Sequence, residues 1–256
     1  MKPLILLSND DGYDAAGIIA LRQALLAFAE VVVCAPASNQ SATSHKLTLT
    51  SVLRLQERQE GVFAVDGTPA DCVYVALHSA QRIIRRRPDL VVSGMNHGPN
   101  LGVDVVYSGT VAAAREAANR GIPSVAVSAS MRANFGRAAA LGAAIVQALW
   151  HESRDRDPSP TPLLSVNIPA GEGPWPVAAT RPGRRLYDDE VVYRRDPRGR
   201  EYLWIGGKNI EHERADGTDT HAWEDGVAGI TPLSLNLVET SEADLCARLA
   251  ERADHR

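Results

Sequence analysis

Cysteine is scarce. The 256-residue chain has three, Cys34, Cys72 and Cys246, with neither metal-ligand spacing nor an even-numbered framework. That excludes a disulfide-stapled scaffold and a cysteine zinc site. Cys34 lies in the apolar run Val31-Val32-Val33-Cys34-Ala35, and buried reduced thiols of this kind point to the cytoplasm. Basic residues are not in excess. Lys and Arg number 27 against 31 Asp and Glu, a net charge of −4, so no nucleic-acid polymer is expected as partner. No apolar run approaches the roughly 20 residues of a membrane span, and no membrane partner is expected. Met1-Lys2-Pro3 leads straight into a short apolar run, without the core or cleavage site of a signal peptide. The first strand–helix turn lacks Gly-x-Gly-x-x-Gly, and Gly-Lys-Ser/Thr is absent throughout. The two common nucleotide-loop signatures are therefore missing.

What is present is enough apolar residue for a large core, 45% of the chain, in an order that alternates strand and helix. Leu4–Leu7 is a continuous apolar run, as a strand covered on both faces would be. Ile18, Leu21, Leu25 and Phe28 recur at helical spacing. Strands follow at Val31–Ala35 and Leu90–Val92. Ser108-Gly109-Thr110 opens a helix, with Val111, Ala114 and Ala118 on one face and Gly121 as its stop. Ser124–Ser128 is a strand, the stripe Ala138, Leu141, Ile145 and Leu149 a long helix, and Leu163–Ile168 a strand. The pattern predicts a three-layer α/β fold with a doubly wound, mostly parallel, Rossmann-like sheet. Residues 47–66 break the rhythm and predict a hairpin beside that sheet.

From Arg181 to Gly226 apolar residues come only in short groups. Val191–Tyr193 and Tyr202–Ile205 flank the turn Asp196-Pro197-Arg198-Gly199, which predicts an extended C-terminal hairpin arm. Residues 1–256 are read as a single α/β domain with 181–226 as an oligomerisation arm. Such an arm cannot bury a core of its own. A homodimer or homotetramer is the expected state. Val227–Thr231 reads as a further strand and Ser241–Glu251 as a terminal helix capped by Ser241.

Polar clusters follow three of the strands. Ser8-Asn9-Asp10-Asp11-Gly12 follows the first. Asn39, Ser41, Thr43 and Ser44 follow the second. Ser93 to Asn100 follow the strand at Leu90. Parallel strands would bring all three to one sheet edge, where α/β folds bind ligands. Each has a plainer reading: Asn, Asp and Gly favour turns, Ser and Asn bond loops, and Ser108 and Thr110 are ordinary helix caps. Together, Asp10, Asp11, Ser41 and Asn96 form an all-oxygen donor set. Such a set selects one hard divalent cation per subunit, Mg²⁺ or Mn²⁺, with Ca²⁺ of the same class. Ser108, Gly109 and Thr110, at a helix N-terminus, suit a phosphate. A cation site beside an anion cradle makes metal-assisted hydrolysis of a phosphate monoester the natural reaction class. A phosphoaspartate enzyme would need Asp-x-Asp, whereas here the acids are adjacent. A zinc-dependent deacetylase would need His two residues before the pair, where Ser8 stands. His97, in the Asn96 loop, could act on a leaving group or be a surface histidine.

These residues resemble the SurE family, stationary-phase survival proteins that are 5′/3′-nucleotidases. The resemblance rests on Leu6-Leu7-Ser8-Asn9-Asp10-Asp11-Gly12, Ala35-Pro36 with Asn39 and Ser41, and Gly67-Thr68-Pro69-Ala70-Asp71-Cys72-Val73-Tyr74. It extends through Val91-Val92-Ser93-Gly94 to Thr110-Val111-Ala112-Ala113, and to Gly217-Thr218-Asp219 and Ile230-Thr231-Pro232-Leu233. It implies the same four metal ligands, nucleoside 5′- and 3′-monophosphates as substrates, and short polyphosphate as a further one. It also implies that related chains exchange C-terminal segments. Catalysis is then assigned to Asp10 and Asp11, which would hold or deprotonate a metal-bound water. Phosphate binding is assigned to Asn39, Ser108, Gly109 and Thr110. The alternative from another class is a non-catalytic sensor of nucleotide or metal on the same fold. Two positions depart from the family. Ala42 follows Ser41 where Gly is usual, and a positive φ there would cost about 1 kcal/mol. His97 replaces a usually small residue, so no role for it is carried over.

Overall fold

The computed structural model describes residues 2–154, 159–187, 190–206, 210–236 and 240–254. Its frame is one large sheet. Strand β1 is Leu4–Ser8, β2 Glu30–Pro36, β3 Leu55–Gln59, β4 Val62–Val65, β5 Leu90–His97, β6 Ser124–Ala129 and β7 Leu163–Ile168. With β8, Val177–Ala179, and β13, Ala228–Pro232, the order is β3-β4-β2-β1-β5-β6-β7-β13-β8. The six strands from β4 to β7 in that row run parallel; β3 pairs antiparallel with β4 and β13 antiparallel with β7, while β8 pairs parallel with β13. The chain winds outward from β1 to β2, then returns to the other side of β1 as β5. The crevice beyond β1 and β5 is thus a topological switch point, where such sheets bind ligands.

Helices cover both faces. α1, Ala16–Leu25, and α5, Phe135–Arg154, lie on one face. There Ile5 and Leu7 pack with Ile18, Leu21 and Val146. α2, Pro69–His78, and α4, Gly109–Ala118, lie on the other, where Leu6 and Val91 pack with Val73, Ala113 and Ala117. The two-residue period of β1 sends its side chains alternately to the two cores.

Several boundaries differ from the expectation. β5 continues through Ser93 to His97, because Gly94 and Asn96 still pair with Val127 and Ser128 of β6. The hairpin expected over 47–66 is confined to 55–65, and residues 41–54 run as irregular chain. α2 was not expected from the sequence pattern. It is started by a capping box in which Thr68 and Asp71 exchange bonds, with Pro69 opening the helix. Ser241 lies in a 3₁₀ turn, Thr240–Glu242, ahead of the terminal helix α7, Ala243–Asp254.

The arm has two antiparallel parts. At its root β9, Arg185–Tyr187, pairs with β12, Ile210–His212. Beyond it β10, Val191–Arg195, pairs with β11, Glu201–Ile205, around the Asp196–Gly199 turn. The helix α6, Asp219–Glu224, follows the root.

Candidate active site

The residues after β1 form a tight turn and also present two acids. Asn9, fully buried, donates through Nδ2 to the Gly12 carbonyl at 2.8 Å and accepts the Gly12 amide at 3.2 Å. The turn reading and the ligand reading are therefore both true of this segment, because Asn9 closes the turn that aims its neighbours. Asp10 is 5% exposed. Its carboxylate faces the first turn of α4, where the Thr110 hydroxyl donates to Oδ1 and the Thr110 backbone amide adds a second bond. A Cβ on Gly109 would lie 2.9 Å from the Asp10 Cβ, so only glycine lets the helix approach so closely. Burial, and then the charge of Asp11, push the Asp10 carboxyl up to about 6 against the pull of Thr110.

Asp11 is bonded from two elements. Asn39 Nδ2 lies 3.4 Å from its Oδ1, and the His97 backbone amide donates to its Oδ2 at 3.1 Å. Asn39 in turn accepts from the amide and hydroxyl of Ser41, at 2.8 and 2.7 Å. Ser41, Asn39 and Asp11 thus form one chain of hydrogen bonds. Asn96 donates through Nδ2 to the Gly98 carbonyl at 2.9 Å, which fixes the amide plane. Ala42 has φ +57°, the strained conformation anticipated for a non-glycine residue there.

All the expected residues come to one edge of the sheet. Three of the four residues expected to bind phosphate have engaged side chains, Asn39 through the bonds just given. Ser108 Oγ accepts the Val111 amide at 3.0 Å as the α4 cap, and the Thr110 hydroxyl is on Asp10. The donor set suits a hard cation. Two adjacent carboxylates are held close, one inside the core edge, and no Lys or Arg pairs with either among the ion pairs of the described residues. The serine hydroxyl and asparagine amide are neutral oxygen donors of the same class.

Two further residues support the site in roles that no local sequence pattern specifies. His97 is one. Its Nε2 accepts the Gly17 amide at 3.2 Å and its Nδ1 lies 3.8 Å from Asp11 Oδ2. It replaces a side-chain cap that α1 lacks. Gly17 permits this, since a Cβ there would fall 1.9 Å from the Met95 carbonyl oxygen. Asp219 is another, accepting the amides of Gly102 at 2.9 Å and Gly183 at 2.7 Å, and so tying the loop after β5 to the arm. The motif Gly217-Thr218-Asp219 was the only signal for it.

Comparison with known proteins identifies the family. Residues 5–189 match the model of the family described as Survival protein SurE. The chain belongs to the SurE family. A protein of Sorangium cellulosum named 5′-nucleotidase SurE is 59% identical over 98% of this chain and 96% of its own. One of the same name from Myxococcus xanthus is 47% identical, over 92% and 88%. The crystal structure of the SurE protein from Aquifex aeolicus superposes with a TM-score of 0.82 at 38% identity, covering 97% of this chain and all of that one. In SurE terms, the matched span holds every residue of the edge described above and ends in the root of the arm.

Proposed function

We propose that this chain is a 5′-nucleotidase that releases phosphate from nucleoside monophosphates with the help of one divalent cation. One observation carries it. At the switch point Asp10 is bonded by Thr110 in the first turn of α4, Asp11 is bonded by Asn39, which Ser41 bonds in turn, and Asn96 lies near the end of β5 at the same sheet edge. The similarity to proteins named 5′-nucleotidase SurE supports the same reading.

Asp10, Asp11, Ser41 and Asn96 would hold the cation, Mg²⁺ or Mn²⁺. Bound there, it supplies a Lewis acid for the phosphate and lowers the pKa of water. The protein then supplies the rest. Asn39, Ser108, Gly109 and Thr110 line the place of the phosphate, where the α4 dipole favours negative charge. Asp10 or Asp11 takes the proton from the attacking water. The Asn39 and His97 bonds keep Asp11 from rotating away. Nucleoside 3′-monophosphates and short polyphosphate are further substrates on this reading. The chain acts in the cytoplasm, and among the described residues no helix is long and apolar enough to cross a membrane.

The test is a panel of nucleoside monophosphates assayed for phosphate release with Mg²⁺, with Mn²⁺, and after exhaustive chelation. Release that disappears on chelation and returns with either ion is expected. Full activity after chelation, or rescue by Zn²⁺ alone, would refute the oxygen-donor assignment. No release under any condition, with nucleotide still bound, would favour a sensor on the same fold.

The arm is proposed to be an interface between subunits, in a dimer or tetramer. β10 and β11 leave Tyr193, Trp204 and Ile205 at 63%, 65% and 86% exposure on this chain.

A further inference from the structure

Tyr107 ends the short helix α3, Asp104–Tyr107, and directly precedes Ser108, the cap of α4. Its side chain is 61% exposed. It lines a cleft of about 640 Å³ between α3 and the arm, whose root and the Val191–Ile205 end of the β10–β11 ladder form the other wall, within the range of small-molecule sites. Val103 shares its side of the cleft; Arg184, Arg185, Tyr187 and Glu190 come from the arm.

The chemistry of the walls narrows the occupant. Asp104 accepts bonds from Arg185 Nη1 and the Tyr187 hydroxyl, so the one guanidinium at the floor is already neutralised. Arg184 and Glu190 add one charge of each sign. The cleft therefore has no surplus positive charge for a second phosphate. It does have two tyrosine rings, with the Arg185 guanidinium 5.3 Å from the Tyr187 ring centre. Aromatic faces and the apolar edges of Val103, Val191 and Ile205 suit a flat, uncharged heterocycle that stacks.

Position links the cleft to the proposed chemistry. Tyr107 and Ser108 are consecutive, with Cα atoms about 3.8 Å apart. The Tyr107 carbonyl accepts the Ser44 amide at 3.0 Å, which sets the Ser41 loop alongside. The cleft thus begins one residue before the α4 cap, beside the proposed place of the phosphate.

We propose that the nucleoside of the substrate occupies this cleft with its base stacked on Tyr107, making Tyr107 a specificity-determining residue. The inference rests on the phosphomonoesterase reading above.

The experiment compares kcat/KM for a purine nucleoside 5′-monophosphate with that for ribose 5-phosphate, which lacks a base. Wild type, Tyr107→Ala and Tyr107→Phe are measured with saturating Mn²⁺. The ratio of the two values is expected to fall about tenfold in Tyr107→Ala, the scale of one lost base-stacking aromatic, and to be kept in Tyr107→Phe. A ratio unchanged in Tyr107→Ala, including a parallel fall on both substrates, overturns the cleft and leaves the phosphatase reading standing. Wild type that releases phosphate from neither substrate overturns both. Because the side chain is exposed, thermal melting of the variants should match wild type, which separates lost recognition from lost fold.

Discussion

At the scale of the residue, Asp10 is held at a cost. Its carboxyl goes from the ordinary 3.8 to about 6 on burial beside Asp11. The folded chain thus keeps this proton to a higher pH than the unfolded chain does. In the metal-free protein, this group favours folding more as the pH falls from about 6 to about 4. Above 6 its full penalty is present, roughly 3 kcal/mol for a rise of that size. Asp10→Asn removes the charge and should stabilise the metal-free protein at pH 7.5 by up to about that amount. Phosphate release should drop about a thousandfold or more, as when a metal-activated nucleophile is lost. Urea unfolding of both proteins at pH 4.5 and 7.5, with chelator present, checks it; a variant that unfolds more easily at pH 7.5 would make Asp10 a structural turn residue. Ala42 is a second residue held at a cost. Its φ of +57° strains any residue with a Cβ by about 1–2 kcal/mol. Glycine in its place loses about 0.5–1 kcal/mol of extra chain entropy. Ala42→Gly should therefore gain a few tenths to about 1 kcal/mol at this exposed position, read as a higher urea midpoint with unchanged slope. A loss would mean that the neighbouring chain, not Ala42, holds the strain.

At the scale of the element, the segment from 37 to 54 has no helix or strand, yet it carries Asn39 and Ser41. Bonds to other elements hold it. Gln40 donates to the Asp10 carbonyl at 2.7 Å, Thr48 reaches Asp71 at 2.7 and 2.8 Å, and His45 Nε2 lies 2.9 Å from Glu116 Oε2. Glu116 is 3% exposed on α4. Burial pushes its carboxyl up, but His45 and Arg120 together outweigh that and hold it below the usual range. His45→Ala should loosen the loop rather than the sheet. The expected cost is about 1.5–3 kcal/mol of stability, typical of a bond to a charged group. A weaker apparent affinity for Mn²⁺ in calorimetric titration should accompany it. Unchanged Mn²⁺ affinity would mean that the loop is positioned without His45. This segment also shows why the sequence was only partly legible. Its leucines read as a strand, but its backbone partners include the Asp10 carbonyl, the Tyr107 carbonyl and the side chains of Thr68 and Asp71 at the start of α2, beyond any local pattern. Runs whose partners are neighbouring strands, such as β1, β2, β6 and β7, were legible because burial on both faces leaves a continuous apolar signature. The carboxylates and Asn96 were legible because strand ends in a parallel sheet share an edge. His97 was not, since its bond to Gly17 joins residues 80 apart.

At the scale of the whole molecule, the arm and α7 lack a surface to cover. In the β10–β11 ladder Val191 is opposite Ile205 and Tyr193 opposite Leu203, so all four share one face. Tyr193, Leu203 and Ile205 are half or more exposed. Trp204 and Tyr202 lie on the other face, with Val192 and Arg194. Val191 and Ile205, at the end nearer the root, line the cleft beside α3, whereas Tyr193 and Leu203 lie farther along the ladder and are 63% and 50% exposed. On α7, Leu245 and Leu249 are one helical turn apart and are 42% and 55% exposed. Two separate apolar surfaces on projecting elements are what a subunit that exchanges its C-terminal segments would present, and water would otherwise disfavour both. Light scattering at micromolar concentration should therefore give at least twice the 27.5 kDa of the chain. The ladder says which substitutions test the interface best. Tyr193→Ser with Leu203→Ser strips the cross-strand pair from one face and leaves the Asp196–Gly199 turn and the sheet core untouched. That double variant should shift the protein toward monomer, while the equivalent change at Glu201 and Arg195, the charged end of the same face, should not. A wild type that runs as a monomer would mean that the arm folds back on its own sheet in solution. A double variant that stays assembled would move the interface to α7 or to the opposite face, where Trp204→Ser is the next test.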